Sequence, residues 1–139
     1  MASIAVLLLV VAVVLLHDGA RGYLSSRVWH LTHPFDPSVL VGRWQRPDGG
    51  YVIEISGVRP DGRLEARYFN PNPIHVARAE LKQWSRASGF FLKLQDEGYP
   101  GSTYDLAYLP EHDCLAGVYF QAAIREAFEV QFVRIGEAQ

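Results

Sequence analysis

The sequence predicts an all-β domain, and two observations carry that prediction. From Gly42 to Arg134, short runs of alternating apolar and polar residues recur at about ten-residue spacing. Turn-forming segments rich in Pro, Gly and Asp separate the runs, as in PDGG at 47–50 and RPDGR at 59–63. Short strands divided in this way are typical of an antiparallel barrel or sandwich.

Six of the runs alternate clearly, so the apolar members of each would share one face of a strand. A further short run lies at 43–46, just before the PDGG turn. The predicted inward-facing residues are Tyr51, Ile53 and Ile55; Leu64, Ala66 and Tyr68; Phe90, Leu92 and Leu94; Tyr104, Leu106 and Tyr108; Leu115, Gly117 and Tyr119; and Phe128, Val130 and Phe132.

Residues 73–85 fit two structures. Asn72 and Pro73 are suited to the start of a helix, and apolar residues follow at helical spacing. A strand in the same place completes an eight-strand meander, provided that a bulge near Ala77 and Arg78 resets the alternation. We predict the strand, because the fold as a whole requires it.

The N-terminus has the pattern of a signal peptide. Residues 4–16 are an unbroken apolar run of 13, within the roughly 7–15 of a signal-peptide core and short of the roughly 20 that span a bilayer. ARG at 20–22 permits cleavage before Tyr23. We predict a signal peptide over 1–22, an extended arm and barrel-closing turn over 23–41 and a barrel domain over 42–135. The alternative is an uncleaved leader that anchors the chain in a membrane.

Charge and cysteine content narrow the class of protein. The net charge is −2, and the sequence has no cluster of basic residues. It therefore lacks the basic patch that is typical of nucleic-acid-binding proteins. Cys114 is the sole cysteine, so the chain forms no internal disulfide. An exported domain without disulfides fits the bacterial periplasm or cell surface, since small secreted eukaryotic domains usually depend on such bridges.

The stretch FDPSVLVGRW at 35–44 resembles the first signature of the lipocalins. In that family a short 3₁₀ segment with Phe-Asp closes the base of the barrel and leads into strand one at Gly-x-Trp. The matching residues here are Phe35, Asp36, Leu40, Val41, Gly42 and Trp44. Avidins and other calycins share the Gly-x-Trp start, so the resemblance implies an eight-stranded antiparallel up-and-down barrel.

A closer resemblance is to a group of small exported bacterial proteins of unknown activity. The shared segments are DGGYV at 48–52, YFNPNPI at 68–74, YPGSTY at 99–104 and YFQA at 119–122. This resemblance implies a fold, but it implies no enzymatic activity and no particular ligand.

Closure of the barrel is predicted at Trp44 and Arg134. In calycins a cation from the last strand lies across the ring of the Gly-x-Trp tryptophan, which the resemblance assigns to Arg134. The alternating direction of the strands leads to the same contact. In an eight-strand up-and-down barrel the last strand ends beside Trp44, and its series of inward-facing residues continues to Arg134. An Arg in an apolar series is costly unless it is paired, and stacking on Trp44 is worth about 0.5–2 kcal/mol.

The same parity places the longer, aromatic-containing loops at the open end of the barrel. Loops of this kind carry recognition, and a pocket with aromatic walls and few polar groups suits a small molecule. The alternative is that the tyrosines only fill the interior. The predicted ligand-binding residues are Tyr51, Tyr68, Asn70, Tyr99, Ser102, Tyr104, Tyr119 and Gln121.

Motifs for catalysis or metal binding are weak. Asp96 and Glu97 form a candidate carboxylate pair, and Ser102 lies near no base in the sequence. His30 and His33 supply two imidazoles, too few for a good metal site. We therefore expect no catalytic residue, metal or cofactor. The favoured function is binding of a small apolar or amphipathic ligand, and the alternative is a filled barrel that acts as a structural or interaction domain of the envelope.

Overall fold

A single antiparallel sheet, preceded by one 3₁₀ turn, makes up the fold of the described residues. The computed structural model describes residues 35–84 and 87–136. The expected signal peptide and most of the arm therefore lie outside the described residues. The turn covers Pro37–Leu40, and the strands are β1 (Gly42–Gln45), β2 (Val52–Val58), β3 (Leu64–Asn70), β4 (Asn72–Ile74), β5 (Val76–Trp84), β6 (Ala87–Asp96), β7 (Tyr99–Leu109), β8 (Cys114–Gln121) and β9 (Glu126–Ile135).

The order of the strands confirms the antiparallel all-β prediction and corrects the strand count. The order is β4-β3-β2-β1-β9-β8-β7-β6-β5, so the described sheet has nine strands and not eight. The difference arises because the segment expected to be a strand over 73–85 is interrupted at His75. Its first part, β4, pairs with β3, and its second part, β5, pairs with β6. The ladder therefore ends at β4 and β5 and does not close into a ring.

The division at His75 has a local cause. The His75 N–H donates to Oδ2 of Asp96 at 2.7 Å, and the His75 carbonyl accepts the Gln95 N–H at 3.0 Å. These bonds draw the chain from β3 to β6 at this residue. Beyond it, β5 is a strand as predicted, and the predicted bulge is confirmed by a register shift between Val76 and Arg78.

The sheet curls so that its buried face is turned inward. Tyr68 in β3 and Tyr104 in β7 share a hydrogen bond of 2.9 Å, although four strands separate β3 from β7 in the sheet order. The start of β3 also approaches β5, where Arg63 and Glu80 form an isolated bridge. A sheet whose distant strands meet in this way encloses its own core, and no second layer is needed.

The predicted alternation is confirmed for most of the core. Ile53 and Ile55 in β2, Phe90, Leu92 and Leu94 in β6, and Tyr104 and Leu106 in β7 are almost inaccessible to solvent. Most residues between them are exposed or half-buried, although Ala107 is buried and the predicted inward residue Tyr108 is only half-buried. The largest fully buried side chains are Trp44, Tyr68, Tyr104, Phe90, Phe132, Leu40, Ile53, Ile55, Leu92, Leu94, Leu106 and Leu115. Alternation of this kind buries one side of every strand, which is what a curled sheet requires.

Two glycines allow β6 and β8 to approach β7 closely. A Cβ on Gly89 would lie 1.9 Å from the Leu106 carbonyl oxygen, and a Cβ on Gly117 would lie 1.9 Å from the Asp105 carbonyl oxygen. Backbone atoms cannot move aside as the end of a flexible side chain can. Glycine is therefore a steric requirement at these two positions beside β7.

Replacing Gly117 with Ala should lower the free energy of unfolding by about 2–4 kcal/mol, because the new methyl group forces β7 and β8 apart. The matched control is Gly50→Ala, since a Cβ there meets nothing within 4 Å. The control should change stability by about 0.5 kcal/mol or less. Urea denaturation with unchanged m-values measures both effects, and equal stability of the two variants would disprove the steric argument.

The end of the sheet where β1 begins is held by Trp44 and Arg134. Trp44 is fully buried, and its Nε1–H donates to the Leu40 carbonyl at 2.9 Å. The contact expected between Trp44 and Arg134 is present: the two residues are register partners, and the guanidinium carbon lies 4.0 Å from the ring centroid. We call this the closed end.

Arg134 also joins three separate segments by hydrogen bonds. Its Nη1 donates to the Val41 carbonyl at 2.8 Å, and its Nη2 donates to the Val39 carbonyl at 2.7 Å. Its Nε and Nη2 donate to the two carboxylate oxygens of Asp113 at 2.7 and 2.9 Å. The last strand is thereby tied both to the turn before β1 and to the turn between β7 and β8.

Gly42 leaves room for this guanidinium. Its φ is +140°, and a Cβ there would lie 2.7 Å from Nη1 of Arg134. The Gly-x-Trp pattern thus has a physical reason, because the Trp supplies the ring under the guanidinium and the Gly supplies the space beside it.

Replacing Asp113 with Asn should destabilise the fold by about 1 kcal/mol or less at neutral pH, because a half-exposed bidentate ion pair is lost. Asn tolerates the positive φ of 44° at this position. The Arg134 hydrogen bonds hold the pKa of Asp113 below its usual value. The ionised carboxylate therefore contributes stability above pH about 3.9, and that stability is lost as the pH falls through the depressed folded pKa.

The difference in the free energy of unfolding between wild type and Asp113→Asn should accordingly decrease as the pH falls below about 4. Chemical denaturation at a series of pH values would measure it. Asp61→Asn is the control, because Asp61 lies 3.8 Å from the Arg63 guanidinium, against 2.7 Å between Asp113 and Arg134, and the Arg63 side chain is 71% exposed, against 32% for Arg134. If this difference in the free energy of unfolding stayed constant down to pH about 2, the role of the Asp113 charge would be contradicted.

Candidate functional site

The turns after β1, β3, β6 and β8 lie at the edge of the sheet opposite the closed end. Successive strands are antiparallel, so alternate connections share an edge. We call residues 46–51, 70–72, 97–98 and 122–125 the rim. Of the eight residues predicted to bind a ligand, Tyr51 and Asn70 belong to the rim, and Tyr99 and Gln121 adjoin it. The other four, Tyr68, Ser102, Tyr104 and Tyr119, lie farther along the strands that lead to it.

Two of those residues, Tyr68 and Tyr104, lie beneath the rim. They are 1% and 0% exposed, and their hydroxyl groups share a hydrogen bond of 2.9 Å. Burial raises the pKa of Tyr104 to about 12, although its hydrogen bonds with Tyr68 and Arg46 act in the opposite direction. Burial also raises the pKa of Tyr68. Both phenols are therefore neutral at physiological pH and fill the interior at this level.

Further aromatic rings surround this pair. Tyr119 stacks on Tyr104 with ring centroids 4.6 Å apart, and Phe132 meets Tyr104 edge-on at 5.5 Å. On the other side, Tyr99 meets the Tyr68 ring edge-on at 6.0 Å. Stacked and edge-on pairs of this kind add about 0.5–1.5 kcal/mol each to the burial of the rings. The structure thus brings Tyr68, Tyr99, Tyr104 and Tyr119 together in one cluster.

The predicted polar residues stabilise the rim. Nδ2 of Asn70 donates to the Tyr99 hydroxyl, which joins the β3–β4 hairpin to the β6–β7 turn. Ser102 is fully buried, and its Oγ accepts the Ala122 N–H at 3.1 Å. Because this hydroxyl is buried and bonded to backbone, Ser102 holds the β8–β9 turn against β7 and is poorly placed to act as a nucleophile.

Gln121 and Tyr51 complete the predicted set. Gln121 is half-buried at the end of β8, and its carbonyl accepts the Ile124 N–H at 3.3 Å. Tyr51 is half-buried just before β2. Its carbonyl accepts the Arg46 N–H at 3.0 Å, so it lies directly across the β1–β2 turn from Arg46.

Arg46 belongs to this site and was missed by the sequence interpretation. Its side chain is only 13% exposed, and its guanidinium carbon lies 4.5 Å from the Tyr51 ring centroid. Its Nε donates to Oδ1 of Asp48 at 2.8 Å, and its Nη2 donates to Oδ2. The Asp48 carboxylate raises the pKa of Arg46 further. Strand parity was the available signal, since Arg46 lies two residues after the inward-facing Trp44.

Phe128 is the second residue that was missed as part of the site. It pairs directly with Tyr119 and precedes the buried Val130 and Phe132 by two and four residues, so it points to the inner face. Its ring is nevertheless 40% exposed, whereas Tyr119 is 8% exposed. Near the rim, the inner face therefore ends in an apolar ring that the described residues leave 40% exposed.

The other candidate residues do not assemble into a reactive site. Asp96 accepts the backbone N–H groups of His75 at 2.7 Å and Glu97 at 2.8 Å, which lowers the pKa of Asp96. Through these bonds Asp96 stabilises the backbone at the end of β6. His112, a further titratable residue, lies in the turn between β7 and β8 at the closed end, the edge of the sheet opposite the rim. Among the described residues, no group of three or more His, Cys, Asp or Glu is placed to hold a metal ion.

His30 and His33 lie outside the described residues, so the weak metal pattern there stays untested. Within residues 35–84 and 87–136, no helix has the length and apolar character to cross a membrane.

Comparison with known proteins adds no functional assignment. The chain matches no protein-family model, and neither the curated proteins nor the solved structures contain a significant match. The lipocalin-like resemblance therefore rests on the residues of this chain, above all on Gly42, Trp44 and Arg134.

Replacing Tyr104 with Phe should destabilise the protein more than replacing Tyr68 and Tyr104 together. The single change leaves the buried Tyr68 hydroxyl without its Tyr104 partner, at a cost of about 1–3 kcal/mol. The double change removes both hydroxyls and keeps the volume, so much of that cost should disappear. Denaturant unfolding of the single and double variants measures the difference, and a double variant at least as destabilised as Tyr104→Phe would contradict this account.

Proposed function

We propose that this chain is an exported, calycin-like barrel that binds a small amphipathic molecule at its open end. The observation that carries the proposal is Phe128, an inward-facing ring that is 40% exposed beside the tyrosines of the rim. Apolar surface on the inner face costs free energy when water covers it. A ligand with an apolar body would cover the Phe128 ring while its polar end remains at the rim.

The depth of the site follows from the Tyr68–Tyr104 pair. The two rings and their shared hydrogen bond occupy the interior below the rim. The ligand would therefore lie above them, against Phe128, Tyr51 and Tyr99, as a shallow and partly solvated guest. Half-buried hydroxyl and amide groups at this level offer hydrogen bonds to its polar end.

The barrel itself is part of the proposal. β4 and β5 are separated by His75 alone, so they act as one bent strand that borders β3 first and β6 afterwards. Counted in this way, eight strands surround the core, and the chain bridges the place where the ladder is interrupted. The stacking of Arg134 on Trp44 supports the same lipocalin-like or avidin-like arrangement.

A binding role is favoured over catalysis by the state of the polar groups. Ser102 is buried and bonded to the Ala122 N–H, and Asp96 accepts two backbone N–H groups. Neither is free to serve as a base or nucleophile. The apolar run near the N-terminus and the single cysteine support export to the bacterial periplasm or surface as part of the proposal.

A second candidate function is a filled barrel that acts through its surface. The Tyr68–Tyr104 hydrogen bond favours it, because these hydroxyls satisfy each other and need no ligand. In this case the protein would be a structural or interaction domain of the cell envelope, and nothing would be retained at the rim.

Replacing Phe128 with Ala should weaken ligand binding by about tenfold, because the loss of a well-covered ring contact is worth about 1–2 kcal/mol. The control is Phe120→Ala. Phe120 is 38% exposed but alternates with Tyr119, so it lies on the outer face. Native mass spectrometry of protein isolated from its own cells would detect a retained small molecule and compare its occupancy among wild type and both variants.

Loss of the retained molecule in Phe128→Ala but not in Phe120→Ala would support the rim site. Equal losses in both variants would argue against it. The absence of any retained molecule from the wild type, together with no binding of added amphiphiles, would favour the filled barrel.

A further inference from the structure

The positive charge of Arg46 affects which molecules can bind at the rim. Arg46 is a cation on the inner face, with its side chain 13% exposed and its guanidinium against the Tyr51 ring. An arginine in such a place would normally attract a carboxylate, because its planar fork matches two carboxylate oxygens. An anionic amphiphile would then be the obvious ligand.

Asp48 already fills that fork. Both of its carboxylate oxygens accept hydrogen bonds from Arg46, one from Nε at 2.8 Å and the other from Nη2. The Asp48 side chain is 64% exposed, so the acid comes from the solvent side of the rim. The protein thus supplies its own anion at the position that a ligand carboxylate would take.

The consequence differs for each kind of ligand. A carboxylate would have to displace Asp48 or bind the Nη1 side of the guanidinium next to it, so in either case two anions would share one cation. An ammonium group would meet a pair with no net charge and, on the inner side, the cation of that pair. An uncharged molecule is repelled by neither Asp48 nor Arg46 and still gains the aromatic contacts with Tyr51 and Phe128.

We propose that the Arg46–Asp48 pair makes the rim select an uncharged amphipathic molecule, with Asp48 as the residue that excludes anions. The ligand would carry an alcohol, amide or similar neutral polar group on an apolar body. This inference rests on the proposed function, since it specifies the ligand class for the same site.

The first test compares three probes that differ only in the head group: 4-phenyl-1-butanol, 4-phenylbutanoate and 4-phenylbutylammonium. Isothermal titration calorimetry with the wild-type protein at pH 7 should show that the alcohol binds about tenfold or more tightly than either ion, which is 1.4 kcal/mol or more. Binding of the butanoate as tight as that of the alcohol would overturn the inference while leaving the proposed site intact. Failure of all three probes would count against the proposed function itself.

The second test removes the internal anion. Asp48→Asn frees the fork of Arg46, so affinity for 4-phenylbutanoate should rise about tenfold while affinity for the alcohol changes less than about twofold. Asp61→Asn is the matched control, since it makes the same change in net charge in the turn between β2 and β3 at the other edge of the sheet. Butanoate affinity should be unchanged there.

The outcomes of the second test separate local from general effects. An equal rise in Asp48→Asn and Asp61→Asn would mean that net charge alone is responsible, and the inference would fail. No rise in Asp48→Asn would also overturn it, provided that the melting temperature shows a folded protein. Asp48→Ala repeats the test with a smaller side chain, and the wild-type ranking of the three probes decides the matter if both variants unfold.

Discussion

Arg134 is the residue on which the closed end depends. Its guanidinium lies over the Trp44 ring and at the same time donates to the carbonyls of Val39 and Val41 and to Asp113. Each of these contacts would be weak alone, because cation–π pairs and half-exposed ion pairs contribute about 1 kcal/mol or little more. Together they fix the turn, the first strand, the last strand and the β7–β8 turn with one side chain. The closed end is thereby held by contacts that meet at one residue.

The opposite end is organised by aromatic packing. Tyr104 lies at its centre, stacked on Tyr119, edge-on to Phe132 and hydrogen-bonded to Tyr68. These neutral phenols fill the interior without leaving buried polar groups unsatisfied, so the core reaches almost to the rim. Only there does the pattern change, because Phe128 continues the inner face into solvent. One end is therefore completed by the protein itself, whereas the other presents apolar surface to its surroundings.

Local patterns predicted the fold because they report which face of a strand is buried. The contact of Trp44 with Arg134 could be expected from alternation and strand parity, and the structure contains it. The break at His75 could not, since it depends on a hydrogen bond to Asp96, which lies 21 residues further along the chain. Arg46 was overlooked for a related reason: a charged residue at a strand end looks solvated until its partner carboxylate is seen. The site was thus predictable in its aromatic part and not in its charged part.

The position of β1 between β2 and β9 has a consequence for the kinetics of folding. The bond from Arg134 to the Val41 carbonyl joins residues 93 positions apart, and beside it the first strand pairs with the last. Every hairpin from β6 to β9 can assemble from neighbouring sequence, but this seam can form only after nearly the whole chain is in place. Closing so long a loop is entropically unfavourable, and topologies rich in such distant pairings fold slowly, on the scale of milliseconds to seconds. Until the seam forms, β1 and β9 each present an unpaired edge, which makes the interval before closure the stage at which the chain is most exposed to aggregation.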